Sequence, residues 1–174
     1  MSENISKEYR MLIDKKNNIE KEMKFLPKGY ISKKNIKGNM QYYLQRREGS
    51  RIVSSYINKD EVEDISSKIE KRKQNSKELQ VIYKRIIDLE HAAKLINKDL
   101  LCLLMLYKLS SRMDNISKSD KEKCSSFGKA MNAIEGIEIS KETNDAIDSW
   151  KQGEISFLNV FENTLKRYGF PVEA

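Results

Sequence analysis

Residues 30–57 read YISKKNIKGNMQYYLQRREGSRIVSSYI, and this stretch decides the fold of the N-terminal half of the chain. Three runs rich in Tyr, Ile and Val lie at Tyr30 to Ile36, Met40 to Arg47 and Arg51 to Ile57. The short connections between them contain Gly38 and Gly49, and such connections favour tight hairpins between strands. The segment therefore predicts a three-stranded antiparallel meander, although its apolar residues do not separate cleanly onto one face and leave the register open.

A helical pattern precedes this meander. Between Ser2 and Phe25, apolar residues recur at three- and four-residue steps among charged ones, and Leu26-Pro27 with Gly29 ends the pattern. This spacing places the apolar residues on one side of an amphipathic helix. The chain is therefore expected to begin with a helix that leads into the sheet.

A longer helical pattern follows the meander. Asp60 and Glu63 form a helix-start signature, and apolar residues then keep helical spacing to about Met113 without proline or glycine. An uninterrupted helix of that length would span roughly 75 Å. We expect it to pack against the first helix as a coiled-coil-like hairpin, with a bend near Gln74-Asn75-Ser76, and a homodimer through this helix is left open.

Three serines can cap three short helices in the remainder of the chain. Ser119 can begin a helix that runs to about Asn132 or beyond, Ser140 one that runs to Gln152, and Ser156 one that runs to Tyr168. Gly153 and Gly169 stand where left-handed helix ends favour glycine. These features predict a small C-terminal module of three helices.

The charge is divided unevenly along the chain. Residues 1–112 carry 25 Lys and Arg against 15 Asp and Glu, whereas residues 113–174 carry 8 against 11. The first part is therefore strongly basic and the second mildly acidic. A basic surface favours a polyanionic partner such as DNA or RNA, and the acidic tail argues against extending that surface to the C-terminus.

Several classes of protein are disfavoured by what the sequence lacks. Cys102, Cys124 and the single His91 form no cluster with metal-ligand spacing, so no metal or cofactor is predicted. No glycine-rich phosphate loop is present, and we do not expect an enzyme. The polar N-terminus and the lack of an apolar run of about 20 residues favour a cytoplasmic protein and no membrane partner.

Residues 125–169 resemble a known family. They contain the pair Glu135-Gly136, a second pair Gly153-Glu154 after the next helical pattern, and a tail that starts at Phe161 and ends Lys166-Arg167-Tyr168-Gly169. This arrangement resembles the VbhA-type antitoxins, which silence Fic-domain toxins that transfer AMP from ATP onto target proteins (AMPylation). The resemblance covers roughly a quarter of the chain.

The resemblance implies a mechanism. In the family, a glutamate at a helix end pairs with the toxin arginine that holds the terminal phosphate of ATP. ATP then lies in an orientation that cannot react, since nucleotidyl transfer depends on positioning. On this resemblance Glu135 is the inhibitory glutamate, and Gly136 lets the chain turn close to the toxin. The family usually has Ser or Thr four residues before the glutamate, whereas this chain has Met131 there, with Asn132 as the candidate substitute.

The meander is a second candidate surface. Between Lys24 and Lys59 there are nine basic residues and one acid, Glu48, interleaved with four tyrosines. Cations contact nucleic-acid phosphates and aromatic rings stack on bases. The predicted nucleic-acid-binding residues are Lys33, Lys34, Lys37, Arg46, Arg47, Arg51, Tyr42 and Tyr43. A solvated basic sheet edge that only prevents aggregation would have the same composition.

Two further patterns carry less information. Residues 26–31 together with 43–49 resemble a widespread, uncharacterised bacterial and archaeal module of a helix, a small sheet and a long helix, which implies no activity. The apolar run Leu100 to Tyr107 either seats the C-terminal helices or forms an interface with a partner.

Together these patterns predict a mainly α protein in two parts. Residues 1–113 form a basic body of helix, meander and long helix, and residues 119–174 form a helical inhibitory module. The expected function is an antitoxin that binds a Fic-domain toxin and blocks productive ATP binding, with DNA binding by the basic sheet as an addition. The alternative is a nucleic-acid-binding protein, or a phage-encoded inhibitor of a nucleic-acid-processing machine, that acts through the meander.

Overall fold

The computed structural model describes residues 2–167, which form six α-helices and one three-stranded sheet. In chain order the elements are α1 (Ser2–Met23), β1 (Tyr30–Ile36), β2 (Asn39–Glu48), β3 (Arg51–Ile57), a 3-10 turn (Lys59–Glu61), α2 (Val62–Ile96), α3 (Lys98–Asp114), α4 (Lys118–Ile134), α5 (Lys141–Gln152) and α6 (Phe157–Arg167). The predicted fold class is therefore confirmed. Tyr168 and Gly169, predicted at the end of the last helix, lie outside the described residues.

The sheet is an antiparallel meander in the order β1-β2-β3, as predicted. Its two turns each use glycine for a different reason. Lys37 and Gly38 both have positive φ, which is the requirement of a type I′ turn, whereas in the second turn Gly49 has positive φ and Ser50 does not, as in type II′. The twist of both turn types matches that of the strands, so two residues suffice to close each hairpin.

Gly29 fixes the entry of the chain into the sheet. Its φ is 115°, and a Cβ built at this position would lie 2.0 Å from the backbone oxygen of Gln45. The segment before β1 therefore lies directly against the backbone of β2, where only glycine fits.

The chain forms two compact units. One consists of residues 15–87 and contains the C-terminal part of α1, the sheet and most of α2. The other consists, among the described residues, of 2–14 with 88–167. The predicted division into a body of residues 1–113 and a module of residues 119–174 stays a prediction.

In the unit of residues 15–87, α1 and α2 run antiparallel. The Lys16 ammonium lies 5.9 Å from the centre of the Tyr83 ring, and further along α1 the Glu22 carboxylate accepts a hydrogen bond of 2.8 Å from Asn75. Apolar side chains are buried in this unit, namely Ile19, Ile57, Ile69, Leu79, Ile82 and Ile86. The expected helical hairpin is therefore present in this unit, while a homodimer through α2 stays a prediction.

The long helix breaks at a different place from the predicted one. It is continuous through Gln74-Asn75-Ser76, where Asn75 is buried and bonded to Glu22, so the predicted bend there is wrong. The break lies at Asn97, whose backbone is extended and whose side chain accepts a hydrogen bond of 2.8 Å from the Asp99 N–H. An Asn side chain that replaces the helical partner in this way ends one helix and caps the next.

In the unit of residues 2–14 and 88–167, the apolar run of α3 seats the C-terminal helices, which is the first of the two predicted alternatives. Leu100, Leu104 and Tyr107 are buried, and α3 packs against α6. Tyr9 is also fully buried, and its hydroxyl donates a hydrogen bond of 2.7 Å to the Glu90 carboxylate.

Asp114, the last residue of α3, joins two of the C-terminal helices. Its carboxylate accepts hydrogen bonds from the Trp150 indole N–H at 3.0 Å and from the Phe157 backbone N–H at 2.8 Å. The two rings also meet edge to face, with centroids 5.2 Å apart. Lys121 is buried, donates to the Trp150 carbonyl at 3.1 Å and lies over the same ring. Trp150 is therefore the centre of the C-terminal module.

The caps of these helices follow the prediction in two cases of three. Ser140 caps α5, and Ser156 accepts a hydrogen bond from the Asn159 N–H at the start of α6. The prediction of Ser119 for α4 is wrong, because Ser117 caps this helix. The Ser117 hydroxyl accepts from the Asp120 N–H and donates to the Asp120 carboxylate, a mutual pair that Ser119 cannot make from inside the first turn.

Candidate functional site

The pair Glu135-Gly136 forms the C-terminal end of α4. Glu135 is the C-cap residue, with φ of −83° and ψ of 0°, and Gly136 follows in the left-handed region with φ of 70°. The Gly136 N–H donates to the Ala133 carbonyl at 3.2 Å, and the Ile137 N–H donates to the Asn132 carbonyl at 2.8 Å. This is a Schellman motif, which satisfies the last carbonyls of the helix and fixes the direction of the chain beyond it.

The Glu135 side chain is exposed at this helix end. Within residues 2–167, no hydrogen bond or ion pair engages its carboxylate, and none joins it to the Asn132 amide. The Asn132 backbone carbonyl closes the Schellman motif, and its side chain lines a cavity beneath the helix. Glu135 is thus a carboxylate on a fixed backbone that is available to an external cation.

In α4 the usual distribution of polar and apolar residues is reversed. An ordinary surface helix buries its apolar side, whereas α4 turns polar residues toward the protein and apolar residues toward solvent. The side toward the protein carries Lys121, Ser125, Gly128 and Asn132, which are buried or half-buried. The opposite side carries Phe127 and Ile134, which are 68% and 79% exposed, with Met131 and, beyond the helix end, Ile137. An apolar stripe of this kind on the outside of a helix is a candidate surface for contact with another protein. We refer to Phe127, Met131, Ile134 and Ile137 as the α4 stripe.

An apolar cavity lies beneath α4. Its volume is about 240 Å³, and it is lined mainly by Met113, Ile139, Ile147, Trp150 and Phe157 together with Gly128 and Asn132 of α4. A Cβ added to Gly128 would meet no atom within 4 Å, so the glycine is not required by the packing of this module.

The second pair, Gly153-Glu154, closes α5 in the same manner. Gly153 is left-handed with φ of 83°, and the Glu154 N–H donates to the Ser149 carbonyl at 3.0 Å. At the other end of α5, the Arg167 guanidinium donates to the Ser140 hydroxyl at 2.6 Å. The pKa of Glu142 is lowered by a hydrogen bond from its own backbone N–H, by Ser140 and by the nearby charge of Arg167. The tail residue Arg167 therefore binds the first turn of α5, and the rest of the predicted tail motif, Tyr168-Gly169, lies outside the described residues.

The strand register distributes the predicted nucleic-acid-binding residues over two faces of the sheet. Directly paired residues share a face, and side chains alternate along each strand. One face carries Lys34, Tyr43 and Arg47, and the other carries Lys33, Tyr42, Arg46 and Arg51, while Lys37 lies in the first turn. The second face also carries Ile57, which is 3% exposed, so it is the face that contributes to the core.

The first face, called here the open face, presents aromatic and basic side chains to solvent. Tyr56 on β3 is 60% exposed and packs edge to face on Tyr43, with centroids 5.8 Å apart. The Lys34 ammonium lies 5.0 Å from the centre of the Tyr43 ring. Tyr30 and Ile52 on the flanking strands are also exposed. The open face thus combines stacking surfaces with cations, as binding of single-stranded nucleic acid requires.

Among residues 2–167, no group of three or more His, Cys, Asp or Glu side chains is arranged to hold a metal ion. Over the same residues, none of the helices combines the length and the apolar composition needed to cross a membrane.

Sequence reasoning missed the α4 stripe. Phe127, Met131 and Ile134 recur at four- and three-residue steps, which is the signal of an apolar helix side, but the pattern alone does not tell whether that side faces the core or solvent. It also grouped Tyr42 with Tyr43, which the register places on opposite faces of the sheet, because that register was open.

Comparisons with known proteins cover the N-terminal part of the chain alone. A family described as a domain of unknown function (DUF6788) matches residues 9–67, which is about a third of the chain and contains the sheet with part of both flanking helices. No curated protein and no solved structure matches the chain.

Proposed function

We propose that this chain is an antitoxin-like inhibitor of a Fic-domain AMP transferase, and that Glu135 blocks productive binding of ATP to that enzyme. In this proposal the chain is cytoplasmic, is not itself an enzyme and needs no cofactor. The proposal combines the resemblance of residues 125–169 to VbhA-type antitoxins with the geometry of α4.

One observation carries the proposal. The α4 stripe turns its apolar side chains to solvent beside the exposed Glu135, whose carboxylate has no hydrogen bond or ion pair among the described residues. Burial of an exposed Phe or Ile in a protein interface contributes about 1.5–3 kcal/mol for each side chain. The stripe can therefore supply affinity for the toxin, while the carboxylate beside it reaches a charged group in the toxin active site.

The helix end explains how one carboxylate could act at a defined position. Gly136 reverses the chain directly after Glu135, and the two hydrogen bonds of the Schellman motif hold that reversal. Glu135 would then form a bidentate pair with the toxin arginine that holds the γ-phosphate, because a carboxylate and a guanidinium match in geometry. ATP would lose this contact and its reactive orientation. Met131, in place of the usual hydroxyl residue, would contribute to the apolar contact instead.

The proposal is tested by separating binding from inhibition. The tagged chain is used to recover its partner from nuclease-treated extract of its native cell, and AMP transfer by the recovered Fic-domain protein is measured with a labelled ATP. Glu135→Gln keeps the α4 stripe and the shape of the helix end, so it should restore AMP transfer while the affinity for the toxin falls by no more than about tenfold.

Glu138→Gln is the matched control, since it removes the same charge from an exposed position three residues further on. It should leave inhibition intact. Recovery of no Fic-domain protein, or full inhibition by Glu135→Gln, would disprove the proposal.

A second function, binding of nucleic acid by the open face, is favoured by the packing of Lys34, Tyr43 and Tyr56 described above. Fluorescence anisotropy with a single-stranded 12-mer at several salt concentrations tests it. Tyr56→Ala should weaken binding about tenfold, since stacking contributes about 1–3 kcal/mol per base. Lys34→Gln with Arg47→Gln should reduce the salt dependence by about two counterions. Lys33→Gln with Arg51→Gln, on the opposite face, is the control, and equal effects from both pairs would show that only net charge matters.

A further inference from the structure

A basic cavity lies in the unit of residues 15–87 and includes neither Glu135 nor any residue of the α4 stripe. Its volume is about 670 Å³, and it is formed by the end of α1, the segment before β1, the end of β2 and the middle of α2. Five of its lining residues are cations, namely Lys24, Lys28, Arg46, Arg47 and Arg72, and two are acids, Glu20 and Glu48.

The two acids leave most of this positive charge unbalanced, because Glu20 pairs with a lysine outside the cavity and Glu48 offsets one of the five cations, Arg46. Glu20 accepts a hydrogen bond of 3.2 Å from Lys16 and another from the Tyr83 hydroxyl, and Glu48 forms an ion pair of 2.7 Å with Arg46. For Lys24, Lys28 and Arg47, by contrast, no acid partner lies within ion-pair distance among residues 2–167. The cavity therefore has an excess of positive charge that is open to an anion.

Arg72 is held in place by the backbone. Its guanidinium donates to the carbonyls of Met23 and Leu26, the latter at 2.8 Å, so it fixes the end of α1 and the start of the following segment. A guanidinium has five N–H donors, and those not used for these carbonyls remain for a ligand. An arginine that is fixed before binding loses little conformational entropy when it binds.

The segment that carries Lys28 is fixed as well. Gly29 follows it and packs against the Gln45 backbone, where an added Cβ would also lie 3.1 Å from the Arg46 Cβ. This contact holds Lys28 beside β2. The wall of the cavity includes the buried Leu79 with Met23 and Leu26, and a partly apolar wall strengthens the attraction between the cations and an anion.

We infer that this cavity binds a phosphate-bearing ligand of about the size of a nucleotide. Its volume lies within the range of about 300–1,000 Å³ that is usual for small-molecule sites. Several cations around one space match the several charges of a di- or triphosphate, or of successive phosphates in a nucleic-acid strand. The inference goes beyond the proposed function and does not depend on the Fic partner.

Isothermal titration calorimetry on the full chain, with pyrophosphate, ATP and a single-stranded 12-mer as separate probes, tests the inference. At least one probe should bind, and Lys24→Gln with Lys28→Gln should weaken that binding about tenfold or more. Lys77→Gln with Lys84→Gln removes two exposed cations from the same unit outside the cavity and should change the affinity less than threefold. The melting temperature of each variant shows that the fold is retained.

The three probes distinguish the source of the phosphate. Binding of pyrophosphate or ATP that depends on Lys24 and Lys28 identifies a free nucleotide or polyphosphate as the ligand. Binding of the 12-mer alone, with the same dependence, identifies a nucleic-acid strand. If no probe binds, or if the two double variants weaken binding equally, the inference is overturned.

Discussion

At the scale of single residues, Gly29 is the position at which the smallest change should have the largest effect on the sheet. Gly29→Ala would place a Cβ against the Gln45 carbonyl and force a side chain into φ of 115°. Backbone strain of this kind costs about 1–3 kcal/mol even without a clash. We expect the melting temperature, followed by circular dichroism, to fall by more than about 5 °C.

Gly38→Ala is the control for this change. Gly38 also has positive φ, but a Cβ there would meet no atom within 4 Å. The melting temperature of Gly38→Ala should therefore fall less than that of Gly29→Ala. The fall for Gly38→Ala measures the cost of the backbone conformation, and the difference between the two variants measures the cost of the clash. Equal losses for the two variants would show that the contact between Gly29 and β2 is unimportant.

Glu90 is the residue whose charge should make stability depend on pH. Burial raises its pKa, but hydrogen bonds from Lys108 and Tyr9, together with the charge of Lys108, outweigh this effect, and the pKa lies below its ordinary value of 4.5. A carboxyl group with a lowered pKa in the folded state stabilises the fold above its unfolded pKa, and this contribution is lost as the pH falls through the folded pKa.

Glu90→Gln should therefore lower the melting temperature by about 2–4 °C at pH 7. The difference from the wild type should shrink as the pH falls below about 4.5, because the wild-type carboxylate is then protonated. Thermal melts between pH 7 and pH 3 measure it. A difference that stays constant over this range would mean that the charge of Glu90 contributes nothing to stability.

At the scale of secondary-structure elements, Asp114 should determine whether α5 and α6 stay attached to α3. Asp114→Ala removes the acceptor for the Trp150 indole and for the Phe157 N–H, and it leaves a polar group of a side chain that is 2% exposed without its partner. Loss of a hydrogen bond to a charged group costs about 1.5–3 kcal/mol.

The readout for Asp114→Ala is the fluorescence of Trp150, which is the single tryptophan of the chain. Its emission should shift to longer wavelength at a denaturant concentration well below that of the wild type. Asp145→Ala, which removes an exposed carboxylate from α5 itself, is the control and should leave the indole environment unchanged. An unchanged Trp150 transition in Asp114→Ala would contradict this role.

The elements also show which parts of the fold the sequence could predict. The strands, the turns at Gly38 and Gly49 and the helix starts at Ser140 and Ser156 depend on local backbone chemistry, and they were predicted. The break at Asn97 was not, because asparagine also occurs inside helices and its capping bond to Asp99 becomes evident only in three dimensions. The same limit applies to the candidate sites, since Glu135 can be located from its glycine neighbour, whereas the outward direction of the α4 stripe depends on packing.

At the scale of the whole molecule, the chain carries two candidate surfaces of different chemistry. The open face of the sheet belongs to the compact unit of residues 15–87, and Glu135 belongs to the other unit. The charge follows the same division, since residues 1–112 are net basic and residues 113–174 are net acidic. Electrostatic attraction of nucleic acid should therefore depend on the first surface and be insensitive to a change in the second.

Two full-length variants test this independence. Lys34→Gln with Arg47→Gln should weaken binding of the single-stranded 12-mer and leave inhibition of AMP transfer unchanged. Both residues are distant from α4 in the sequence, and they belong to the other compact unit. Glu135→Gln should do the reverse, because one exposed charge in the acidic part adds little to the affinity for phosphates. The same protein preparations are measured by anisotropy and by AMP transfer. If either variant changes both readouts, the two surfaces are coupled. The chain would then be better described as an antitoxin whose binding of nucleic acid responds to its toxin.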